Sequence, residues 1–516
     1  MRENLLAIAL AVIVVIAACA VVTFGVCGAY HDDAIYVITA KALAEGRGYR
    51  LIDLPGAPRQ TKYPVLYPVL LALVWRVWPA FPDNLLAMQG LSIATAAIAI
   101  AATFLYVVRI QRCEPLTAAF AVALCATSPT FVYYTTQTLS EIPFLVALVA
   151  ALWVVAAPAD RTPSSATGGF ATGLTIALPA QVRMIGAAVL LPLAYHVCRR
   201  RDRRFWVIVG TLVPMIGWAI WTWTGRNAAS EAPRYYVDYL GWWRDAGGRG
   251  FVRVVLLNAL MTATATADWL PQDWKIAGFA ALWPVIGLAI WIVTLRRARS
   301  AFASSMVVYL ILVLAWPWPP ARFIVPLWPL IVPLQFDVIR RRLGTVVVAC
   351  GCAVIIATNI VGLRQIAARN HTTGFPSPPA GQHQVAWKSY LELFSWIRTH
   401  TDLHETLTAG FDSMTFLYTD RPSIRSFASN PTALFYRDRS GDPVGNEAEF
   451  LELLGDHRSR YVVQTPMPGF AEEGPFNELL DRVQRKTPSC LKVAYRDAAD
   501  QRFTVFAVDL PNCQHR

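Results

Sequence analysis

The sequence predicts a polytopic α-helical membrane protein with a small C-terminal α/β domain. Of its 516 residues, 55% are hydrophobic and only 16% are charged, whereas a soluble globular domain carries roughly 25% charged residues. The apolar residues gather in long runs before Arg364 and are largely absent from such runs after it. Runs of this kind are typical of membrane-spanning helices. We therefore predict a transmembrane domain at residues 1–363 and a polar domain at residues 364–516.

About eleven apolar runs are predicted to cross the membrane, and several are short enough to be tilted, broken or partly re-entrant. They are Leu5–Val26, Leu85–Val108, Leu116–Tyr134, Ile142–Ala157, Ala166–Ala180, Met184–Val197, Phe205–Thr224, Ile276–Leu295, Ala301–Trp316, Phe323–Phe336 and Thr345–Leu363.

Four basic clusters fix the predicted orientation. They lie at residues 109–112, 199–204, 296–299 and 340–342, all on one side of the membrane under this count. Basic loops are enriched on the cytoplasmic side. We therefore expect a multi-pass protein of a bacterial-type inner (plasma) membrane, with a cytoplasmic N-terminus and an extracytoplasmic C-terminal domain.

The run Val65–Ala80 is the exception to this count. Treating it as a span would reverse every later loop, so we predict a helix at the outer interface, introduced by Tyr63-Pro64 and Tyr67-Pro68. Two long outer loops, Cys27–Asn84 and Gly225–Lys275, then remain. Loops of this length suit an enzyme that works at the membrane surface.

The net charge of +12 does not indicate a nucleic-acid partner. Much of the basic excess falls in short loops between apolar runs, where it reports topology. The nine cysteines show neither a CxxC pair nor zinc-ligand spacing. Cys490 and Cys513 are candidates for a disulfide if their side of the membrane is oxidising.

An acidic pair, Asp32-Asp33, follows the first span and precedes a stretch with helical spacing, Ala34–Glu45. Asp32 is a candidate N-cap and Asp33 lies in the first turn. Both carboxylates could simply cap the helix and favour its dipole. Alternatively, one of them accepts a proton from an incoming hydroxyl, because like charge and partial desolvation raise the basicity of a carboxylate.

The segment from His31 to Arg50, followed by Pro55–Leu73, resembles the first outer loop of the GT-C superfamily glycosyltransferases. The likeness is to the branch of protein O-mannosyltransferases and the aminoarabinose transferase of lipid A (family 39 type), where an acidic pair begins a juxtamembrane helix and a Tyr-Pro-rich stretch follows. Ser140–Phe144, Arg183–Gly186 and Arg322–Pro326 extend the resemblance. The pair is Asp-Glu in that branch and Asp-Asp here, which leaves open which residue is the base, although we favour Asp32.

The resemblance implies an inverting transfer of a sugar from a polyprenyl-phosphate donor to a hydroxyl of a lipid, glycan or protein acceptor on the outer face. Glu141, at the outer start of a span, either is a first-turn helix charge or is a second acidic group of the catalytic site that holds a divalent metal or orients the acceptor. Arg183 and Arg322, outward arginines beside spans, either snorkel to head groups or bind the donor phosphate. Lys62 and Arg59 are weaker phosphate-binding candidates. No cofactor is certain; a divalent metal held by Asp33 and Glu141 stays open.

In the second outer loop, residues 234–236 and 241–244 combine tyrosines or tryptophans with arginine, which suits sugar stacking and equally suits an interfacial helix. The C-terminal domain is predicted to contain helices at Val385–His400 and Asn477–Arg485. Short alternating segments predict strands at Glu405–Phe411, Ser459–Gln464, Cys490–Tyr495 and Arg502–Asp509.

The alternative function is a membrane transporter or channel with an extracytoplasmic domain. A transporter would place ionisable residues in mid-span along a path. Here the predicted spans are nearly free of mid-span acids, and the polar residues gather at their outer ends. This distribution favours an enzyme that acts at the outer surface.

Overall fold

The structure is a computed structural model that describes residues 1–156, 165–198, 204–225, 239–271, 274–378, 385–438 and 441–513, without the side chains of 198, 239–246 and 276–277. The basic residues 199–203 and the aromatic segment 234–236 lie outside the described residues. The segment 241–244 lies in a helix, but its side chains are outside the description.

The first part of the chain is mostly helical in the described residues, with a long non-helical connection between α2 and α3. Its helices are α1 (Arg2–Val21), α2 (Asp32–Ala44), α3 (Leu66–Val77), α4 (Leu85–Arg109), α5 (Pro115–Thr127), α6 (Pro129–Thr136), α7 (Glu141–Ala156), α8 (Ala166–Val182), α9 (Leu190–Cys198), α10 (Arg204–Gly225), α11 (Tyr239–Ala267), α12 (Leu282–Arg297), α13 (Ser300–Leu314), α14 (Ala321–Ile324), α15 (Trp328–Leu343) and α16 (Thr345–Thr373).

Within the described ranges, six helices are long and apolar enough to cross a membrane, or seven if one bent pair is a single span. The bent pair is α5 and α6, which meet at 63°. The predicted single run Leu116–Tyr134 is therefore broken, because Pro129 has no amide hydrogen to continue the ladder of α5. Helix α3, predicted to lie at the interface, has 12 residues, so it is about 18 Å long and shorter than a span.

The prediction that residues 225–275 form an outer loop is wrong. Residues Gly247–Ala267 of α11 form a helix of 21 residues that is apolar enough to span the membrane. It starts at Gly247, whose φ of +62° interrupts the longer helix. Several threonines and two arginines dilute its hydrophobicity, which is why the sequence pattern did not reveal it.

Helices α11 and α12 run side by side in the same direction. Gly287 packs directly on the backbone of Ala263, and the Trp291 indole donates to the Thr266 hydroxyl at 2.7 Å. Two consecutive helices can be parallel only if the chain between them doubles back. The described residues 268–271 and 274–281, which include a π-helical turn at Lys275–Phe279, belong to this return, so the later helices keep their predicted direction.

Three basic clusters meet at one end of the helical bundle, as predicted. Arg297 donates to the carbonyl of Gln111 at 3.3 Å and to the buried Asp337 carboxylate at 3.0 Å. Arg340 and Arg341 bind the same carboxylate at 3.3 and 3.0 Å. The acidic and basic residues predicted to face outward lie at the opposite end.

The chain after residue 385 forms a five-stranded mixed sheet in the order β2-β1-β3-β5-β4. Its strands are β1 (Leu407–Ala409), β2 (Ser423–Arg425), β3 (Tyr461–Gln464), β4 (Leu491–Arg496) and β5 (Thr504–Val508), and its helices are α17 (Trp387–His400), α18 (Asp412–Thr419), α19 (Pro431–Phe435), α20 (Glu447–Asp456), α21 (Glu473–Lys486) and α22 (Leu510–Cys513). β1 is parallel to β2 and β3, whereas β5 is antiparallel to β3 and β4.

This sheet unit packs tightly on the helical bundle. The ring of Tyr418 in α18 contacts Phe81 from the bundle at 5.0 Å and Phe394 of α17 at 5.2 Å between centroids. Burial of such large rings contributes strongly to docking. Cys490 and Cys513 form a disulfide that ties the start of β4 to the end of the described chain.

Candidate active site

A cavity of about 520 Å³ lies between the sheet unit and the ends of the helices that are opposite the basic clusters. Its charged lining residues are His31, Asp32, Lys62, Arg183, Arg322, Arg425 and Glu472, and its aromatic lining residues include Tyr30, Tyr36, Tyr63, Trp316, Trp318 and Phe470. It therefore combines polar groups that can orient a ligand with rings that can cover one.

Asp32 presents its carboxylate to this cavity from the first residue of α2. The predicted N-cap position of Asp32 is wrong, because His31 occupies the N-cap and Asp32 is already helical. One carboxylate oxygen of Asp32 accepts from Arg322 Nη1 at 2.8 Å, and the other accepts a short hydrogen bond from the Tyr63 hydroxyl. Burial opposes ionisation, but Arg322, Lys62 and Tyr63 hold the pKa of Asp32 well below its usual range.

Glu141 links two arginines beside Asp32. Its Oε1 lies 2.7 Å from Arg183 Nη1 and 2.7 Å from Arg322 Nη2, and its side chain is fully buried. Arg322 therefore bridges Asp32 and Glu141, and four alternating charges form a line from Arg183 to Asp32. Each buried charge has an opposite neighbour, which offsets the cost of burial.

Ser140 and Tyr36 support this line of charges from one side. Arg183 donates to the Ser140 hydroxyl at 3.3 Å, and Ser140 is 2.8 Å from the Tyr36 hydroxyl. The guanidinium of Arg183 also lies 5.3 Å from the Phe323 ring centroid. The two arginines thus have several contacts that fix their direction.

Lys62 lines the cavity and forms no salt bridge with another residue in the described ranges. Its ammonium lies 5.0 Å from the ring centroid of Tyr63. Burial lowers the pKa of Lys62, the negative charge of Asp32 opposes this effect, and the nearby Arg425 and Arg322 reinforce it. A partly buried cation near other cations is a favourable place for an anionic group of a ligand.

Asp33 points away from the cavity into the turn before α2. Its two oxygens accept from the backbone amides of Gly28 at 2.7 Å and Tyr30 at 3.1 Å, and its side chain is fully buried. Burial raises the pKa of Asp33 to about 6, although these hydrogen bonds act in the opposite direction. Its geometry suits support of the turn.

The metal site considered at Asp33 and Glu141 stays a prediction. The two oxygens of Asp33 accept from backbone amides, and the two guanidinium groups that contact Glu141 both do so at its Oε1. In the described part of the chain, no group of three or more His, Cys, Asp or Glu side chains is arranged to hold a metal ion.

Arg59 lies apart from the residues that line the cavity. Its guanidinium stacks on Trp221 at 4.8 Å and donates to the Thr224 hydroxyl at 3.1 Å. These contacts connect the segment between α2 and α3 to the C-terminal end of α10. Of the four basic residues proposed for phosphate binding, the structure brings Arg183, Arg322 and Lys62 together around Asp32.

The residues that the sheet unit contributes to the cavity were not predicted from the sequence. Arg425, Phe470 and Glu472 line it together with the bundle residues. Glu472 accepts from the Ser429 hydroxyl at 2.8 Å. No local motif marks these residues, since their place in the cavity follows from the docking of the two units. Tyr63 was noted only as part of a Tyr-Pro stretch.

The comparisons with known proteins are confined to structure. No protein-family profile matches the sequence, and no curated protein matches it. Among solved structures, the chain is similar to ArnT from Cupriavidus metallidurans bound to undecaprenyl phosphate, with a TM-score of 0.59, 14% identity, and coverage of 98% of this chain and 97% of ArnT. The apo state of ArnT matches with a TM-score of 0.56, 14% identity, and coverage of 99% of each chain.

ArnT is an aminoarabinose transferase, and an aminoarabinose transferase belongs to the branch that the segment from His31 to Leu73 resembles. The likeness extends over nearly the full length of both chains, including the sheet unit. At 14% identity, such a likeness establishes the fold. The chain therefore has the GT-C fold of ArnT, which confirms at the level of the fold the resemblance seen in the sequence.

Proposed function

We propose that the protein is an integral membrane glycosyltransferase that moves a sugar from a polyprenyl-phosphate donor to an acceptor hydroxyl. The observation that carries this proposal is the arrangement of Asp32, Arg322, Glu141 and Arg183 beside Lys62 at one cavity. A carboxylate that can take a proton thus lies beside cations that can hold a leaving phosphate. The match to ArnT bound to undecaprenyl phosphate supports a lipid-phosphate donor.

In the proposed mechanism, the donor phosphate binds at Lys62, Arg322 and Arg183. The acceptor oxygen attacks the anomeric carbon while the bond from that carbon to the phosphate oxygen breaks. Asp32 takes the acceptor proton, and the lipid phosphate leaves with the bonding electron pair. The cations stabilise the charge that develops on the leaving phosphate. Attack opposite to the phosphate inverts the configuration of the sugar.

Arg322 connects donor binding to the basicity of Asp32. In the free site, Arg322 binds the Asp32 carboxylate at 2.8 Å and lowers its pKa. A bound phosphate anion shares Arg322 and Lys62, and its negative charge raises the pKa of the neighbouring carboxylate. Asp32 is thus a stronger base when the donor is present than when the site is empty.

We assign the cavity to the extracytoplasmic side of a bacterial-type inner (plasma) membrane. The basic clusters around Asp337 lie at the opposite end of the bundle, and basic loops favour the cytoplasm. The disulfide between Cys490 and Cys513 belongs to the cavity side, and disulfides are typical of oxidising compartments. The acceptor would enter between the bundle and the sheet unit.

Binding of the lipid phosphate is tested with the purified full-length protein in detergent. Thermal unfolding is measured with undecaprenyl phosphate and, as a matched control, with undecaprenol, which has the same chain without the phosphate. We expect a concentration-dependent rise of Tm with the phosphate alone. An equal rise with undecaprenol would contradict a phosphate site.

Transfer is then tested with a panel of polyprenyl-phosphate sugars and envelope lipids, glycans or proteins as acceptors. Release of polyprenyl phosphate that depends on an acceptor would support the proposal. No release from any member of a panel of hexoses and pentoses would refute it.

A further inference from the structure

The chain makes a strained turn immediately before Asp32. His31 has φ +61° and ψ −54°, and the amide of Asp32 donates to the carbonyl of Tyr30 at 2.7 Å. These values describe a γ-turn of the positive-φ form, which is rare and strained for a residue with a side chain. Strain of this kind persists only where surrounding contacts hold it.

The contacts that hold His31 come from helix α18 of the sheet unit. His31 Nε2 lies 3.1 Å from Asp412 Oδ1 and 3.4 Å from the Ser413 hydroxyl. All three side chains are buried, and those of Asp412 and Ser413 are fully inaccessible. The imidazole is therefore fixed by residues more than 380 positions away in the sequence.

The same helix holds the chain just upstream of the turn. The Tyr418 hydroxyl donates to the carbonyl of Gly25 at 2.6 Å and accepts from the amide of Cys27 at 3.0 Å. Gly28 packs so closely that an added Cβ would lie 2.5 Å from Met414 Cβ. Helix α18 thus contacts residues 25–31 at four points along its length.

Asp33 holds the turn from the other side. Its carboxylate accepts the amides of Gly28 and Tyr30, so the turn lies between Asp33 and α18. Asp32 is the first residue of α2, and the turn therefore sets the direction in which its carboxylate leaves the helix. A small rotation of the turn would move this carboxylate relative to Tyr63 and Arg322.

We infer that helix α18 of the sheet unit positions Asp32, with Asp412 as the positioning residue that acts through the His31 turn. This inference rests on the proposed function in that Asp32 is taken as the base. It gives the sheet unit a part in the chemical step, in addition to covering the cavity. Asp412 itself is buried behind His31 and does not line the cavity.

The kinetic test compares Asp412→Ala with Asp420→Asn in the full-length protein. Asp420 ends the same helix and forms an exposed ion pair with Lys41 at 2.9 Å, so it is a control for general loosening of the docked units. We expect Asp412→Ala to lower kcat between about 10- and 100-fold with little change in the donor KM, because misplacement of a reacting group acts on the chemical step. Asp412→Asn, which keeps an acceptor for His31, should recover part of the loss, and Asp420→Asn should match the wild type.

Two substitutions of His31 separate the effect of the turn geometry on kcat from the effect of the imidazole ring itself. Both His31→Gly and His31→Ala remove the ring, but glycine adopts positive φ freely and alanine does not. We expect His31→Gly to keep a higher kcat than His31→Ala. Equal loss in both, or a wild-type kcat in Asp412→Ala, would overturn the inference.

Hydrogen exchange of residues 25–33 supplies a measurement that does not depend on the proposed function. These amides should exchange faster in Asp412→Ala than in the wild type, with no change in Asp420→Asn. Unchanged exchange in Asp412→Ala would refute the positioning contact. Faster exchange in a protein that transfers no sugar would leave the contact supported and the proposed function refuted.

Discussion

Replacing Asp32 by asparagine separates the basicity of this residue from its structural contacts. The two carboxylate oxygens of Asp32 accept from Arg322 and from the Tyr63 hydroxyl. In the variant, the amide oxygen still accepts from Arg322, and the Tyr63 hydroxyl can reverse to accept from the amide nitrogen. The contacts survive, whereas the ability to take a proton is lost. We therefore expect kcat to fall on the order of 100-fold, which corresponds to about 2.7 kcal/mol.

The same substitution predicts an opposite effect on donor binding. It removes one of the two carboxylates that compensate Arg183, Arg322 and Lys62, so the site becomes more positive towards phosphate. The donor KM should stay the same or fall. Steady-state release of polyprenyl phosphate measures both quantities, and Asp83→Asn, at an exposed acid of an outer loop, is the control. Normal turnover, or a raised KM with normal kcat, would refute the assignment of Asp32 as the base.

Three further predictions follow from the same geometry. In Arg322→Lys, the lysine can reach only one of the two acids that Arg322 bridges. The affinity for the donor should therefore fall on the order of 10-fold, and it should fall further in Arg322→Ala. An unchanged affinity in both variants would mean that Arg322 is only an interfacial anchor. Burial raises the pKa of Asp33 to about 6. The protonated Asp33 therefore adds to the free energy of unfolding below pH ~4, and this contribution of about 3 kcal/mol is lost as the pH rises through 6. Between pH 4 and pH 8, the Tm of Asp33→Asn should therefore change less with pH than the Tm of the wild type. The same pH dependence of Tm in both proteins would contradict this prediction. Reporter fusions after Arg299 and Arg342 should give a cytoplasmic signal, and a fusion after Gly374 should give a signal from the outer compartment. A cytoplasmic signal after Gly374 would contradict the proposed orientation.

The general architecture could be predicted from the sequence because membrane helices have long apolar runs that are easy to recognise. Apolar runs and basic loops were enough to predict most helices and the common end of three basic clusters. Helix α11 was not predicted because its threonines and arginines weaken the apolar pattern. The return of the chain before α12 was not predicted because it has no sequence signature. In the sheet unit, the strand β2 and the helix α18 were missed because short elements have weak periodicity.

The candidate site could be predicted only as separate residues. Asp32, Glu141, Arg183 and Arg322 stood out because each is a charged residue beside an apolar run. Their pairing could not be predicted, since Arg322 is 290 positions from Asp32 and 181 from Glu141. Sequence also left the roles of Asp32 and Asp33 open, because a helix start turns neighbouring side chains about 100° apart without telling which one faces the cavity.

Charge balance links the observed site to the kind of donor that we propose. The charged residues described at the cavity, together with Glu141 behind them, comprise four cations, Lys62, Arg183, Arg322 and Arg425, and three carboxylates, Asp32, Glu141 and Glu472. With the pair of His31 and the buried Asp412 left out of the count, this leaves one net positive charge. A sugar joined to a lipid by a single phosphate carries one negative charge, whereas a diphosphate link carries two. Uncompensated charge in a partly desolvated cavity is costly, so the composition of the cavity favours a monophosphate donor over a diphosphate one.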